Sequence, residues 1–567
     1  MDDGARIAAR LRSTEIATGL IATLLLVIAV PLTLAQYWTP RAAIALLVIG
    51  PGLVVLTVAA RARDHASIAG LVFVAVAGLS TLVSPAPGLA LFGLYNHGTG
   101  LLFVAAVVAM WALGRRWSDV GARVFGSAVL VGAGVNAAMA WLQVSENYTG
   151  DLFALIDGRP PALLGNPVHA SALFLGAFAI VVERWRVAPA RRETSAVYLA
   201  LAVLFASALE LAGGRIGLVV LLGVLGVLGL RAWRRVVPLA IAVAVGVLGT
   251  MAIAPDDSGA ASRVAGSGSA SFSGRIDRWE MGFAAFADRP VLGEGPGLYR
   301  RATSPHNTAS AARAFGSDTL NIDAHDVFVE YLVTTGLVGA LAFTAWLVLA
   351  ARGARGELAW FAGVGAVSLL FQPQFVGLTP VLALALGVAK RGPPVRISRP
   401  AKSVAILIVV TAVVAGVALV RGDMLLRNDT VDLDLRDARA AARALPIWPE
   451  PAAREAQAYR YAFHSDHRAG ALADAVAAAR VAHRRDPSDP GVSLALGGLE
   501  LGSGHRTAAR AAYADARRWD PFSAQALIAL SAFAKADGDQ RESERLCARA
   551  LSVAPGLHCR FDLNRGP

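Results

Sequence analysis

Residues 271–342 of this 567-residue chain set arginines, a tryptophan and a histidine in a polar stretch between apolar runs. Arg275, Arg278 and Trp279 stand together, Gly293, Gly295 and Gly297 space a turn, and His325 lies just before the next apolar segment. Histidine takes and returns a proton near neutral pH. The planar guanidinium reaches two phosphate oxygens at once. Proton abstraction and anion binding are the chemistry expected here, with His325 as the base. Asp323 and Asp326 adjoin it and would support it. A plain interfacial role is the alternative. His306, beside Asn307, is the competing base, but it sits mid-loop, and a base works only when held rigidly.

Other polar groups are expected at the same membrane depth. Glu210 and Arg215 flank a turn at Gly213 and Gly214, Asn96 and His97 end an earlier loop, and Asn166 and His169 follow Leu164 and Gly165. Ionisable groups at helix ends cost free energy unless paired or functional. Arg215 and Arg275, from separate hairpins, would hold a diphosphate. The alternatives are an ion pair of Arg215 with Glu210 and a merely solvated Arg275.

The elements that must position these groups follow from composition. The chain is 55% hydrophobic and 17% charged, with mean hydropathy +0.53, which is membrane-protein composition. Segments near 16–36, 41–60, 66–84, 99–114, 121–143, 166–183, 194–211, 215–231, 235–254, 325–351, 357–372, 374–390 and 402–421 approach the ~20 residues a bilayer core needs. The first is too long for a cleaved signal and is expected to stay. The net charge of +12 sits in clusters (Arg6 to Arg12, Arg61 and Arg63, Arg115 and Arg116, Arg184 to Arg192, Arg231 to Arg235, Arg352 and Arg355, Lys390 to Lys402) that share one side if thirteen helices alternate. Basic loops mark the cytoplasm, so the scattered charge does not call for nucleic acid, and the loop 255–324 and the C-terminal region lie outside. No metal-ligand spacing or phosphate-binding glycine loop is present, and no cofactor is expected.

The fold expected is all-α: a polytopic helical bundle over 1–421 and a second domain over 422–567. Pro487, Pro521 and Pro555 recur every 34 residues, with small or apolar residues at matching offsets, such as Ala509, Tyr513 and Ala516 against Ser543, Cys547 and Ala550. This resembles the tetratricopeptide repeat, in which helix pairs stack into a solenoid. A glycan or protein partner, or a plain stabilising cap, would suit it. Cys547 falls on a core position and is expected as a buried thiol rather than a disulfide partner of Cys559.

Residues 91–102 (LFGLYNHGTGLL), 164–170 (LGNPVHA), 212–217 (AGGRIG), 273–279 (SGRIDRW), 290–297 (PVLGEGPG), Ala324-His-Asp326 and Thr335-Gly-Leu-Val-Gly339 together resemble the O-antigen ligase and O-antigen polymerase superfamily of membrane glycosyltransferases, over about 85–350. The resemblance implies a metal-independent, inverting enzyme. It would move a glycan from a polyprenyl diphosphate to an acceptor hydroxyl on a glycan, lipid or protein, outside a bacterial plasma membrane. Carried over by position, His325 is the catalytic base, and Arg215 and Arg275 bind the diphosphate. Arg278, Trp279, Asp326, Glu210, Asn166 and His97 are supporting candidates. The chain departs from the family pattern at Val168 and His169, at Gly214 where serine is usual, and at Asp326 where asparagine is usual. A polymerase or protein O-glycosyltransferase is the same chemistry with another acceptor. A secondary transporter is the rival class, but transporters place ionisable groups near the midplane, where this chain has almost none.

Overall fold

The computed structural model describes residues 13–145, 154–187, 192–253, 259–261, 269–392, 396–432, 434–466 and 470–563. The apolar segments fold as α1 (Ser13–Val27), α2 (Thr39–Leu46), α3 (Ile49–Arg61), α4 (His65–Val83), α5 (Pro87–Phe92), α6 (Leu101–Gly114), α7 (Asp119–Val144), α8 (Pro167–Val187), α9 (Arg192–Leu211) and α10 (Arg215–Ile253). The loop that follows carries α11 (Ser269–Asp288), α12 (Tyr299–Thr303) and α13 (Ala309–Phe315). The bundle closes with α14 (Val327–Ala351), α15 (Glu357–Ser368), α16 (Thr379–Ala389) and α17 (Arg399–Asp432). Side chains fix several starts: Asp64 caps α4 and Ser118 caps α7 by accepting from main-chain N–H groups, the usual satisfaction of a helix's free donors.

Among the described residues six helices are long and apolar enough to cross a membrane, seven if the bent pair α2 and α3 counts as one span. That is fewer than the thirteen expected. Others, such as α6, α15 and α16, are apolar helices of 14, 12 and 11 residues, rising only ~16–21 Å against a ~30 Å hydrocarbon core. Helix α15 stops short where irregular backbone turns inward. The stretch between α15 and α16 brings Phe371 and Gln372 to a cavity. Such backbone is tolerated at depth only where it is buried or lines a cavity.

The 39-residue run of α10, with Pro238 inside, would extend ~58 Å if straight. Its two halves instead return to the same part of α9. A Cβ on Gly217 would lie 2.7 Å from Leu209, and one on Gly246 2.6 Å from the Val203 carbonyl. Thr250 donates to Ser207 at 2.8 Å. The run therefore folds back between 226 and 236 into two antiparallel arms.

Contacts sort the connections into two ends of the bundle. At one, Glu15 accepts from Ser118 N at 2.6 Å, Asp64 pairs with Arg115, Arg184 binds Glu357 at 2.5 Å, and Gly392 N donates to the Arg115 carbonyl at 3.0 Å. At the other, Ala35 N donates to Asp423 at 3.0 Å, Arg41 to the Leu163 carbonyl at 2.6 Å, Ala162 N to Gln143 at 2.8 Å, and Ala261 N to Glu210 at 2.9 Å. The basic side chains of Arg61, Arg63, Arg116, Arg352, Arg391 and Lys402 belong to the first end, and Arg215, Arg275 and His325 to the second. Arg6, Arg10 and Arg12 fall outside the described residues.

Helix α14 breaks at Gly336, whose φ is 68°. The glycine turn inserts there: Glu294 N and Gly295 N donate to the Val333 and Thr334 carbonyls, and Leu337 N donates to Pro290 O at 2.8 Å. Ser80 and Ser84 of α4's end donate to the Leu292 and Glu294 carbonyls, both at 2.6 Å. The loop is thus stitched into the helix it precedes, satisfying the groups the break exposes. A Cβ at 336 would stand 2.2 Å from the Val291 carbonyl. Gly336→Ala is expected to lower stability by ~3 kcal/mol or more, read as a fall in the thermal midpoint in detergent. An unchanged midpoint would show the seam to be loose.

The boundary expected at 421 falls inside α17, which runs on to Asp432. Beyond it come α18 (Leu435–Ala444), α19 (Pro449–Asp466), α20 (Ala471–Arg485), α21 (Pro490–Gly502), α22 (Arg506–Trp519), α23 (Ala524–Ala536) and α24 (Gln540–Val553). α19 with α20, α21 with α22, and α23 with α24 pack as hairpins, each hairpin against the next. Ala475, Ala479, Ala509 and Ala516 are buried, which lets the backbones approach. Cys547 and Cys559 form a disulfide, contrary to the buried thiol expected. The tail after α24 doubles back and packs Cys559 and Phe561 on the last hairpins, a turn that the repeat spacing does not encode.

This region seats on the loop. Trp448 donates to the Gly93 carbonyl at 2.9 Å and meets Trp38, Phe92 and Tyr95 edge-on. Arg300 reaches Asp486 and Asp489 at 3.2 and 3.0 Å, and Asn307 donates to Asp520 at 2.9 Å.

Candidate functional site

His325 sits where the chain enters α14, with φ 51°. A non-glycine residue in the left-handed region costs ~1–3 kcal/mol and persists only where its surroundings over-determine it. They do. Asp323 accepts from the His325 main-chain N at 2.9 Å and from its Nδ1. Trp279 donates to the Ala324 carbonyl at 3.2 Å, and Ala324 N donates to Glu330 at 3.0 Å. With Nδ1–H held by a carboxylate, Nε2 is left as the proton acceptor. Burial would push the Asp323 carboxyl up, but His325 and His97 together hold it well below the usual carboxylate range. It therefore stays an anion that can stabilise an imidazolium beside it. His97 Nε2 lies 3.8 Å from Asp323, at the rim of the arrangement.

Arg215 opens α10 directly after Gly213 (φ 63°) and Gly214. A Cβ on Gly214 would lie 1.8 Å from the Ser171 Oγ of α8, so glycine is required, and a hydroxyl still stands at this point, brought by Ser171. Arg275 comes from α11 and donates from Nη2 to the Phe371 carbonyl at 3.3 Å. Burial lowers its pKa, and Arg278 and Arg215 lower it further: the cations crowd one another. Arg278 donates to Asn321 at 2.8 Å and lies over the Phe315 ring at 4.5 Å.

These groups share one cavity of about 320 Å³, lined by Arg215, Arg275, Arg278 and His325 together with Ser171, Phe371 and two residues that sequence reasoning missed, Arg159 and Gln372. Arg159 follows a two-residue turn at Asp157 (φ 50°) and Gly158 (φ 72°), closed by bonds between Ile156 and Arg159 of 2.9 and 3.0 Å. Burial lowers its pKa, Asp157 opposes that, and Arg215 adds to it. The Asp-Gly dipeptide is a strong short-range turn signal and would have singled out this arginine as rigidly presented.

Arg159 Nε, Arg215 Nε, Arg275 Nε and Gln372 Nε2 are buried without a hydrogen-bond acceptor. Orphaned buried donors are rare and costly. Four of them around one cavity, on guanidinium and amide groups, define a site for an anion rich in acceptor oxygens. Arg215 and Arg275 make no ion pair among the described residues.

The remaining sequence candidates are placed elsewhere. Glu210 accepts from Ala261 N rather than from Arg215. Asn166 accepts from Val168 N at 2.9 Å, at the start of α8. Asp326 caps α14 through Phe328 N and Val329 N at 2.8 and 2.9 Å, leaving Asp323 to orient the imidazole. Trp279 supports the main chain of Ala324 and does not line the cavity. His306 pairs with Asp288 at 2.7 Å, outside the cavity. His169 is buried and stacks on Phe375 at 4.6 Å. Among the described residues no group of three or more His, Cys, Asp or Glu is arranged to hold a metal ion.

Fold and site define a multi-pass helical membrane protein with a cationic, histidine-bearing cavity at one end of its bundle. Residues 196–344 match the family model described as O-Antigen ligase, a stretch from α9 to α14 that contains Arg215, Arg275, Arg278 and His325. The match supports a place in the O-antigen ligase superfamily, an enzyme class of membrane glycosyltransferases. No curated protein matches the chain.

Proposed function

We propose that this protein transfers a glycan from a polyprenyl diphosphate to an acceptor hydroxyl at the extracytoplasmic face of a bacterial plasma membrane. The observation that carries this reading is the set of four unpartnered buried donors on residues lining the cavity that His325 also lines. The diphosphate binds Arg159, Arg215, Arg275 and Gln372, with its polyprenyl tail in the bilayer. His325 Nε2 takes the acceptor proton as the acceptor oxygen bonds to C1. The C1–O bond to phosphate breaks on the opposite face, so C1 inverts, and the arginines stabilise the charge left on the diphosphate. The cavity offers guanidinium donors rather than carboxylates, so that charge is met by arginine.

The basic residues at the bundle end opposite the site support this sidedness. The disulfide in the C-terminal region suits an oxidising compartment. The hairpins with 34-residue spacing serve there as a tetratricopeptide-like scaffold for a glycan or protein. Ligase, polymerase and protein transferase differ only in the acceptor: chain growth from lipid-linked repeats alone would mark a polymerase.

Competition by short isoprenoids tests the site. Farnesyl diphosphate is expected to displace lipid-linked substrate at concentrations about tenfold or more below those needed for farnesyl monophosphate, the weight of one charge-assisted hydrogen bond. Equal potency of diphosphate, monophosphate and farnesol would sink the assignment.

A further inference from the structure

A second, larger cavity of about 710 Å³ lies at the opposite end of the bundle, between α1, α3, the end of α6 and the start of α17. Its charged lining is Arg116, Arg396 and Lys402, and its walls include Val54, Val55 and Ile406. Neighbouring charges are already engaged, Arg115 by Asp64 and Arg391 by Asp119. Among the described residues Arg396 and Lys402 make no ion pair and no carboxylate lines the cavity. Ile406 is 64% exposed, and Leu407, Val410 and Val414 continue an apolar face along α17, so the cavity opens sideways to the hydrocarbon.

We infer that this cavity is a binding site for an anionic membrane phospholipid. The phosphoryl headgroup sits at Arg396 and Lys402, and the acyl chains run along Val54, Val55 and Ile406. Cations gathered above apolar walls at a basic membrane face fit that amphiphile and would disfavour a zwitterionic one. A bound lipid would brace the first turns of α17 against α1 and α3. This helix also carries the C-terminal region. The site is distinct from the His325 cavity, which lies at the other end of the bundle and is lined by other helices.

Native mass spectrometry of the full-length protein in detergent tests this with phosphatidylglycerol, phosphatidylcholine and glycerol phosphate as probes. Phosphatidylglycerol is expected to be retained about tenfold or more better than phosphatidylcholine. The exposed double substitution Arg396→Gln/Lys402→Gln should remove that preference, while Arg215→Gln leaves it unchanged. Equal retention of the two lipids, or a preference that survives the double substitution, would overturn the inference. So would loss of the preference in Arg215→Gln, which would place the lipid at the other cavity. Glycerol phosphate displacing the lipid at equal concentration would also overturn it, since the walls would then have no role.

Discussion

His325→Ala and His325→Asn abolish glycan transfer while the protein still inserts and folds. The base contributes ~10²–10⁴ to the rate in reactions of this type, and among the described residues that line the cavity no other side chain is a titratable base. The asparagine variant separates chemistry from folding. His325 holds φ 51°, a conformation that asparagine tolerates well. The main-chain bond to Asp323 and the ties of Ala324 to Trp279 and Glu330 do not involve the imidazole. The expected result is therefore a thermal midpoint near wild type, unchanged binding of farnesyl diphosphate, and a turnover number down by at least two decades, ~10² or more. Transfer within a few-fold of wild type would mean that the acceptor loses its proton to something else.

Several features of this arrangement were legible in sequence for stated reasons. Apolar length and basic connections outlined the helices, and the composition around Arg275 and His325 singled out the loop. The break of α14 at Gly336 was not legible, because a glycine inside an apolar run signals nothing until the segment inserted against it, residues 290–295, is known. Among the described residues six spans satisfy length and composition, and hydropathy does not see where a helix such as α15 stops short to line a cavity. Asp326 looked as good as Asp323 beside His325. The choice depends on cap geometry: Asp326 is spent on the first turn of α14, and the positive φ of His325 turns its ring toward Asp323. Gly214 looked like the loss of a hydroxyl, yet Ser171, 43 positions earlier, fills that space. Arg159 was passed over because only the fold brings its turn beside Arg215.

Arg275→Lys and Arg215→Lys each lower transfer by ~10²–10³, as removal of one oxyanion donor does elsewhere, although both keep the positive charge. The reason is shape. Arg275 spends Nη2 on the Phe371 carbonyl and leaves its buried Nε without an acceptor. An ammonium has no second, fixed donor with which to do both. Arg159→Lys should show a smaller loss of the same kind, since its Nη2 also faces Asp157 at 3.4 Å. If the guanidinium groups grip one diphosphate, their effects are coupled, and the double variant Arg215→Lys/Arg275→Lys should fall well short of the product of the two single losses. Farnesyl diphosphate affinity should fall in step with the rate in each variant. Full additivity with unchanged affinity would mean that the arginines act on separate events, and the shared-diphosphate site would have to be abandoned even if His325 remained the base.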